Sequence, residues 1–266
     1  QKGEIEKEYN ELNKYFTVKN KLNIIVVDKI YKRIVYLLKK ISKNYIINKI
    51  IFTTHASIAV LNKNEKDFSH FPVIDYENNF KKNFEKSYLK YEKCNFDETL
   101  TPNFNDGLVL SKTLYYYLQK KDNFSLIKSI LFYPQYFAWR LSGIKSTDLT
   151  YLGCHSDLWS FKKNNFSTFV YKNKLKRKIP TIRNSWSKLG FIKKELVSST
   201  KINSECKVYS GVHDSNACYF LYQKLYQKKF TLISTGTWIV IFNQTMKTKY
   251  FNEKKEIFSK LNVFGQ

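Results

Sequence analysis

Apolar positions along this chain switch repeatedly between helix-like and strand-like spacing. Ile30, Ile34, Leu37, Leu38 and Ile41 recur at three- and four-residue steps, which predicts an amphipathic helix with Asp28 as its cap. The run 46–53 is rich in β-branched residues and predicts a buried strand ending at Thr53-Thr54-His55. Residues 56–61 continue as a second strand or bend, 62–65 form a turn, and 71–76 read as a short strand. The charged, aromatic stretch 78–99 reads as peripheral loop and helix. Asp106-Gly107 precedes a helix through Leu108, Leu114 and Leu118, and a further helix is expected from about residue 125. Pro134 starts or kinks the next helix, at a position where proline is tolerated, and Gly143 closes it. Tyr136, Phe137, Ala138 and Leu141 of that helix are assigned to the core. A loop and short helix over 180–189 should end at Gly190. The weakly patterned start, 1–23, carries a short helix around 5–16. Strands alternating with helices define an α/β chain.

The most informative junction is Gly211-Val212-His213-Asp214-Ser215-Asn216-Ala217. Asp214 opens a segment in which Ala217, Cys218, Leu221 and Leu225 recur at helical spacing, so its carboxylate can cap that helix. His213 precedes the acid, and Gly211 permits a tight turn into it. A linker-like break at about 227–229 follows. Then come two β-rich runs, over 230–242, flanking the hydroxyl-rich turn Ser234-Thr235-Gly236-Thr237. By itself that turn reads as a plain hairpin; beside an acid it is a candidate phosphate cradle. His55, at a strand's carboxyl end, stands where open α/β sheets bind ligands. His155 and Asp157 can line the same pocket or tie down a loop, and the loop role is preferred. Asp75 can face a substrate or make an edge-of-strand hydrogen bond.

A length of 266 residues suffices for one large domain, or one domain and part of another. No apolar run approaches the roughly 18 residues of a membrane span. The start lacks the apolar centre of a signal peptide, so a cytoplasmic setting is the default. Cys94, Cys154, Cys206 and Cys218 lie far apart with no paired spacing, which reads as buried reduced thiols and neither a disulfide framework nor a zinc site. The formal charge of +24 points toward polyanions, yet only four of the 46 basic residues are arginine. The lysines are spread among Asn, Ile, Tyr and Phe, all encoded by A/T-rich codons. Coding bias therefore accounts for the charge better than a nucleic-acid surface does, and no specific nucleic-acid or membrane partner is expected. The run 172–178 reads as a solvated loop.

Five collinear stretches carry a family resemblance: Thr53-Thr54-His55-Ala56, the run 71–77 (FPVIDYE), the run 133–143 (YPQYFAWRLSG), the run 152–159 (LGCHSDLW), and GVHDSNA with FTLISTGTW. Together they resemble the FGGY carbohydrate kinases, most closely the fuculose- and rhamnulose-kinase-like branch. The resemblance implies an actin-like ATPase (ribonuclease H-like) fold. Residues 1–228 would form the sugar-binding N-terminal domain, and 229–266 the first hairpin of the ATP-binding domain. It implies phosphoryl transfer from ATP, with Mg2+, to a ketose or deoxy-ketose. Asp214 would be the general base, His55 and His213 the sugar contacts, and Ser234, Thr235, Gly236 and Thr237 the ATP-phosphate contacts. The magnesium ligands stay unassigned, and a homo-oligomer is allowed. Ala56 and Trp238 depart from the family's usual Gly and Ser. The family's N-terminal Asp-x-Gly-x-Thr-type loop has no match in 1–27, and the rest of the ATP domain would follow Phe242, so the chain is expected to be truncated at both ends. The alternative is a catalytically inactive sugar-binding or interaction protein derived from such a kinase.

Overall fold

A computed structural model describes residues 15–63, 71–104, 107–120, 122–226, 228–235 and 239–266. Its centre is an antiparallel pair, Ile58–Asn62 against Ile127–Phe132, with Ile58 opposite Phe132 and Val60 opposite Ile130. Alternate side chains of these strands enter different cores, as the two-residue period of a strand requires. Ile58, Val60, Ile130 and Phe132 join the largest cluster, with Tyr88, Leu114, Tyr151 and Phe169. Ala59, Leu61 and Leu131 point the other way, onto Tyr136 and Phe137 of the helix Tyr133–Ser142. Burial on both faces explains why the runs 58–61 and 130–132 are continuously apolar rather than alternating.

The same two-sided burial corrects the helix expected from residue 125. One helical turn, Asn123–Leu126, leads directly into the strand Ile127–Phe132. A short apolar run has no periodicity that separates a buried strand from a buried helix. The next helix forms as expected, with proline in its first turn and Gly143 closing it at φ 80°.

A second, parallel pairing places the site. Lys49–Ile50 runs beside Lys207–Tyr209, and Thr53–Thr54 beside Val212–His213, with His213 opposite Thr54. The predicted strand 46–53 is thus broken in two, and Ile46 and Ile51 are exposed. Its partner breaks at Gly211, whose φ is +92°. Gln135 fixes that break by donating from Nε2 to the carbonyls of Ser210 and Gly211 at 3.1 and 3.2 Å. Behind this layer, Ala138, Leu141, Leu189, Leu196 and Val208 form a third cluster.

Other expectations shift in detail. The helix Val27–Ile41 begins one residue before Asp28, so Asp28 is not its cap. Its carboxylate instead lies 2.7 Å from the Arg140 guanidinium, which stacks over the Tyr31 ring. Gly190 lies inside a strand, Lys188–Phe191, at a register shift, and ends no helix. The strand 71–76 shortens to Val73–Ile74. The helix around 5–16 falls outside the described residues except at its end, where Phe16–Lys19 is a strand. All four cysteines are free; Cys94, Cys154 and Cys206 are buried and Cys218 is exposed. Among the described residues no helix is long and apolar enough to cross a membrane.

Candidate functional site

Two parallel strand ends and one helical turn build the site. His55 follows the strand Thr53–Thr54, and His213 ends the neighbouring strand at the first turn of the helix Asp214–Leu225. The third contributor is the one-turn helix Leu149–Leu152, capped by Asp148, which accepts from the Thr150 N–H at 2.9 Å. Beyond its end the chain delivers Cys154 and then His155, whose φ of 37° turns it out of the helical path.

Hydrogen bonds lock the three segments together. The His213 N–H donates to Thr150 Oγ1 at 3.1 Å. Thr150 Oγ1 in turn donates to Asp148, whose other oxygen accepts from Ser185 Oγ at 2.7 Å. The buried Tyr151 hydroxyl reaches the carbonyls of Thr54 and His55 at 2.7 and 2.6 Å, and its ring packs on His213. Burial pushes the Asp148 carboxyl up to about 6, opposed by its bonds from Thr150 and Ser185.

The result is a convergence of three imidazoles. Ring centroids lie 5.2 Å apart for His55 and His213, 5.8 Å for His155 and His213, and 6.0 Å for His55 and His155. Tyr76 covers His55 at 4.5 Å. Burial, reinforced by the two neighbouring histidines, lowers His55 to about 4, so it is neutral at pH 7. His213 moves the other way. Burial alone would lower it, but Cys154 and the Asp214 carboxylate raise it to about 9. The buried Cys154 sulfur lies 3.7 Å from His213 Nε2. Burial pushes that thiol up, but His155, His213 and Lys260 outweigh it and hold it well below its ordinary value.

Asp214 is the acid of this group. It is the first residue of its helix, with His213 in the cap position, and its Oδ1 accepts from the Ser215 N–H at 2.6 Å. The cap position therefore falls on His213, which makes no side-chain cap hydrogen bond, and Asp214 is not the expected cap. The side chain is 44% exposed and so reachable by a ligand. Burial would raise the carboxyl, but the hydrogen bond and charge of His213 hold it at about 2.

Sequence reasoning placed His55, His213 and Asp214 in one pocket, and the structure brings them together. It undervalued His155, which joins the cluster, while Asp157 does tie down loops. That carboxylate is fully buried and accepts from Tyr88 and Thr99 at 2.6 Å each. Asp75 has its N–H bonded to the Asn23 carbonyl, at a strand edge. Of the proposed phosphate turn, Ser234 ends the strand Thr231–Ser234, which pairs with Val240–Asn243, and Thr235 follows it. Gly236 and Thr237 lie outside the described residues. Tyr219 packs on Phe230 and Phe242, fixing this hairpin beside the helix Asp214–Leu225.

Among the described residues, one cluster of His, Cys, Asp or Glu is tight enough to hold a metal, and it is His55, His155 and His213. An all-nitrogen set does not suit Mg2+, which takes oxygen ligands in octahedral geometry. No Mg2+ ligand set is therefore assigned to this chain.

No protein-family model matches the chain, and no curated protein does. Solved structures do. A carbohydrate kinase from Novosphingobium aromaticivorans superposes with a TM-score of 0.85 at 23% identity, covering 94% of this chain and 55% of that one. A ligand-bound xylulose kinase from Lactobacillus acidophilus follows at 0.64 and 18%, covering 74% and 41%. Glycerol kinase from Plasmodium falciparum with ADP gives 0.63 and 12%, covering 85% and 47%. The chain has the α/β fold of these carbohydrate kinases, the actin-like ATPase fold, and spans about half their length.

Proposed function

We propose that this chain is part of an FGGY-type carbohydrate kinase that transfers the γ-phosphoryl group of ATP to a hydroxyl of a ketose or deoxy-ketose. The observation that carries the reading is the pairing of Thr53–Thr54 with Val212–His213. It sets His55 beside His213 and Asp214 at the carboxyl ends of two parallel strands, in a fold shared with carbohydrate kinases.

In this reading His55 and His213 hold sugar hydroxyls, and Asp214 receives the acceptor hydroxyl. The hydroxyl oxygen attacks the γ-phosphorus, the bond to the ADP oxygen breaks, and the hydroxyl proton passes to Asp214 and then to solvent. A carboxylate held near 2 is a weak base toward a neutral alcohol. Its first role is to orient the hydroxyl, and it takes the proton late, once the bond to phosphorus has made that proton acidic. Mg2+ supplies charge neutralisation when it arrives with ATP, and no step is assigned to it here.

Residues 1–228 form the sugar-binding domain in this proposal, and 229–266 begin the ATP-binding domain, with Ser234, Thr235, Gly236 and Thr237 toward the phosphates. The exposure of Leu221, Leu225, Ile233, Ile239 and Ile241 supports a further domain packing there. The fuculose/rhamnulose-like branch, the truncation and the cytoplasmic setting of an ATP-consuming enzyme belong to the same proposal. A second reading is a sugar-binding protein without turnover. Calorimetry with a panel of ketoses, followed by ADP release with the same panel, separates the two. Binding with sugar-dependent ADP release supports the kinase, binding without it supports the second reading, and no sugar binding contradicts both.

A further inference from the structure

Three of the four histidines in the sequence, His55, His155 and His213, come from segments about 60 to 160 residues apart in the chain and converge on one point. One ring nitrogen of each lies within 4.8 Å of a ring nitrogen of both others. A tetrahedral site with metal–nitrogen bonds of about 2.0 Å holds such nitrogens roughly 3.3 Å apart.

The partners of the outer nitrogens make the arrangement specific. His155 Nδ1 faces the Leu108 carbonyl at 2.9 Å, so it carries a proton and leaves Nε2 as the lone-pair atom. His213 Nδ1 lies 3.0 Å from Asp214 Oδ1 and 2.9 Å from Ser215 Oγ, which directs its Nε2 inward, toward Cys154. A backbone carbonyl on one imidazole and a carboxylate on another are the partners that orient and strengthen histidine ligands in metal sites. Among the described residues, His55 Nδ1 is buried with no hydrogen-bond partner, a polar atom that a bound cation would satisfy if it faces the cluster. Beside the cluster lies the buried Cys154 sulfur, a soft donor matched to the same class of metals.

We propose that His55, His155 and His213 form a binding site for a divalent transition metal of the zinc class, with Cys154 at its edge. Imidazole nitrogens suit Zn2+, Co2+, Ni2+ and Cu2+ and exclude Mg2+ and Ca2+. Binding displaces any proton on the inward nitrogen of His213 to solvent. The spacing of the cysteines gave no sign of such a site, because its ligands come from three strand and helix ends rather than from one motif.

The test is a Co2+ titration of the chelator-treated protein, without sugar or ATP, read by visible d–d absorption. The expected result is one Co2+ per chain, tetrahedral in spectrum and displaced by Zn2+ but not by Mg2+. His155→Asn should weaken binding at least about 100-fold while circular dichroism shows the parent fold. Should that variant fail to fold, Asp214→Asn serves instead. It removes only the carboxylate behind His213 and should weaken binding about 10-fold or more. Absence of stoichiometric Co2+ binding overturns the proposal, as does unchanged affinity in a folded His155→Asn protein. Because neither sugar nor ATP enters the titration, its failure leaves the kinase reading untouched.

Discussion

His213 Nδ1 lies 3.0 Å from Asp214 Oδ1, although the two residues are neighbours in sequence and belong to different elements. His213 is the last residue of a strand and Asp214 the first of a helix. Turning from one to the other folds the imidazole back over the carboxylate. The contact ties the basicity of the acid to the histidine. In the full natural gene product, His213→Asn should therefore affect both sugar affinity and turnover. A rise in KM of about 10-fold or more, with a fall in kcat, is expected from loss of a hydroxyl contact and of the carboxylate's orientation. Unchanged values of both would show that His213 touches neither sugar nor the reacting geometry.

Gly211 sets up that turn. At φ +92°, a Cβ placed there would lie 2.9 Å from the Phe52 carbonyl oxygen and 3.0 Å from Pro134. Neither neighbour can yield, one being backbone and the other a proline in a helix start. Gly211→Ala should cost about 1–3 kcal/mol of stability, lowering Tm by several degrees. It should weaken sugar binding more than substitutions elsewhere of equal stability cost, because the parallel register of His213 with Thr54 shifts with it. Calorimetric melts and sugar titrations check both parts.

Asp148 provides the pH dependence. Its folded value of about 6 lies above the ordinary 3.8, so folding favours its protonated form. The contribution to stability is fully present below about 3.8 and is lost as pH rises through about 6. Asp148→Asn should flatten the stability profile between these values relative to the parent. The difference between the two proteins should change by on the order of 2 kcal/mol across the window. Parallel profiles in urea melts from pH 4 to pH 7 would rule out this account.

Zinc and sugar should compete. If His55 and His213 hold sugar hydroxyls and also ligate a transition metal, Zn2+ must raise the apparent sugar Kd, and saturating sugar must overcome the effect. Mg2+ at equal concentration should have no such effect. Simultaneous, independent binding of Zn2+ and sugar would separate the two sites in space.

Much of the fold was legible because its punctuation is local. Pro134 and Gly143 bracket a helix through backbone geometry that any context would respect, and the hairpin over 231–243 shows its strand pattern directly. The strand Ile127–Phe132 was misread as helix because both faces are buried, which erases the alternation that distinguishes a strand. Asp28 sits where a cap is expected, but Arg140, 112 residues away, takes its carboxylate, and no local pattern reports a partner at that distance. The helix Asp214–Leu225 shows the converse. Leu221 and Leu225 lie at helical spacing and yet are exposed, while Asn216 and Tyr219 are buried.

The site divides in the same way. His55, His213 and Asp214 stand at strand ends that the sequence marks with Thr-Thr-His and Gly-Val-His-Asp. His155 needed the left-handed turn after a one-turn helix to reach them, a conformation that the Cys-His-Ser sequence does not announce. The available signal was coarser: each of these three histidines lies at or just beyond the end of a strand or a one-turn helix. Such placement at element ends is where ligands gather in α/β folds.

The role of Asp214 is the centre of the functional account, and one comparison tests it most directly. ADP release from ATP is measured with ketoses and deoxy-ketoses for the full natural gene product and for its Asp214→Asn variant, alongside sugar affinity by calorimetry. The expected outcome is sugar-dependent ADP release in the parent and a loss of about 100- to 10,000-fold in the variant, with sugar Kd changed by less than about 3-fold. Turnover in Asp214→Asn at the parent's rate would contradict the assignment of this carboxylate.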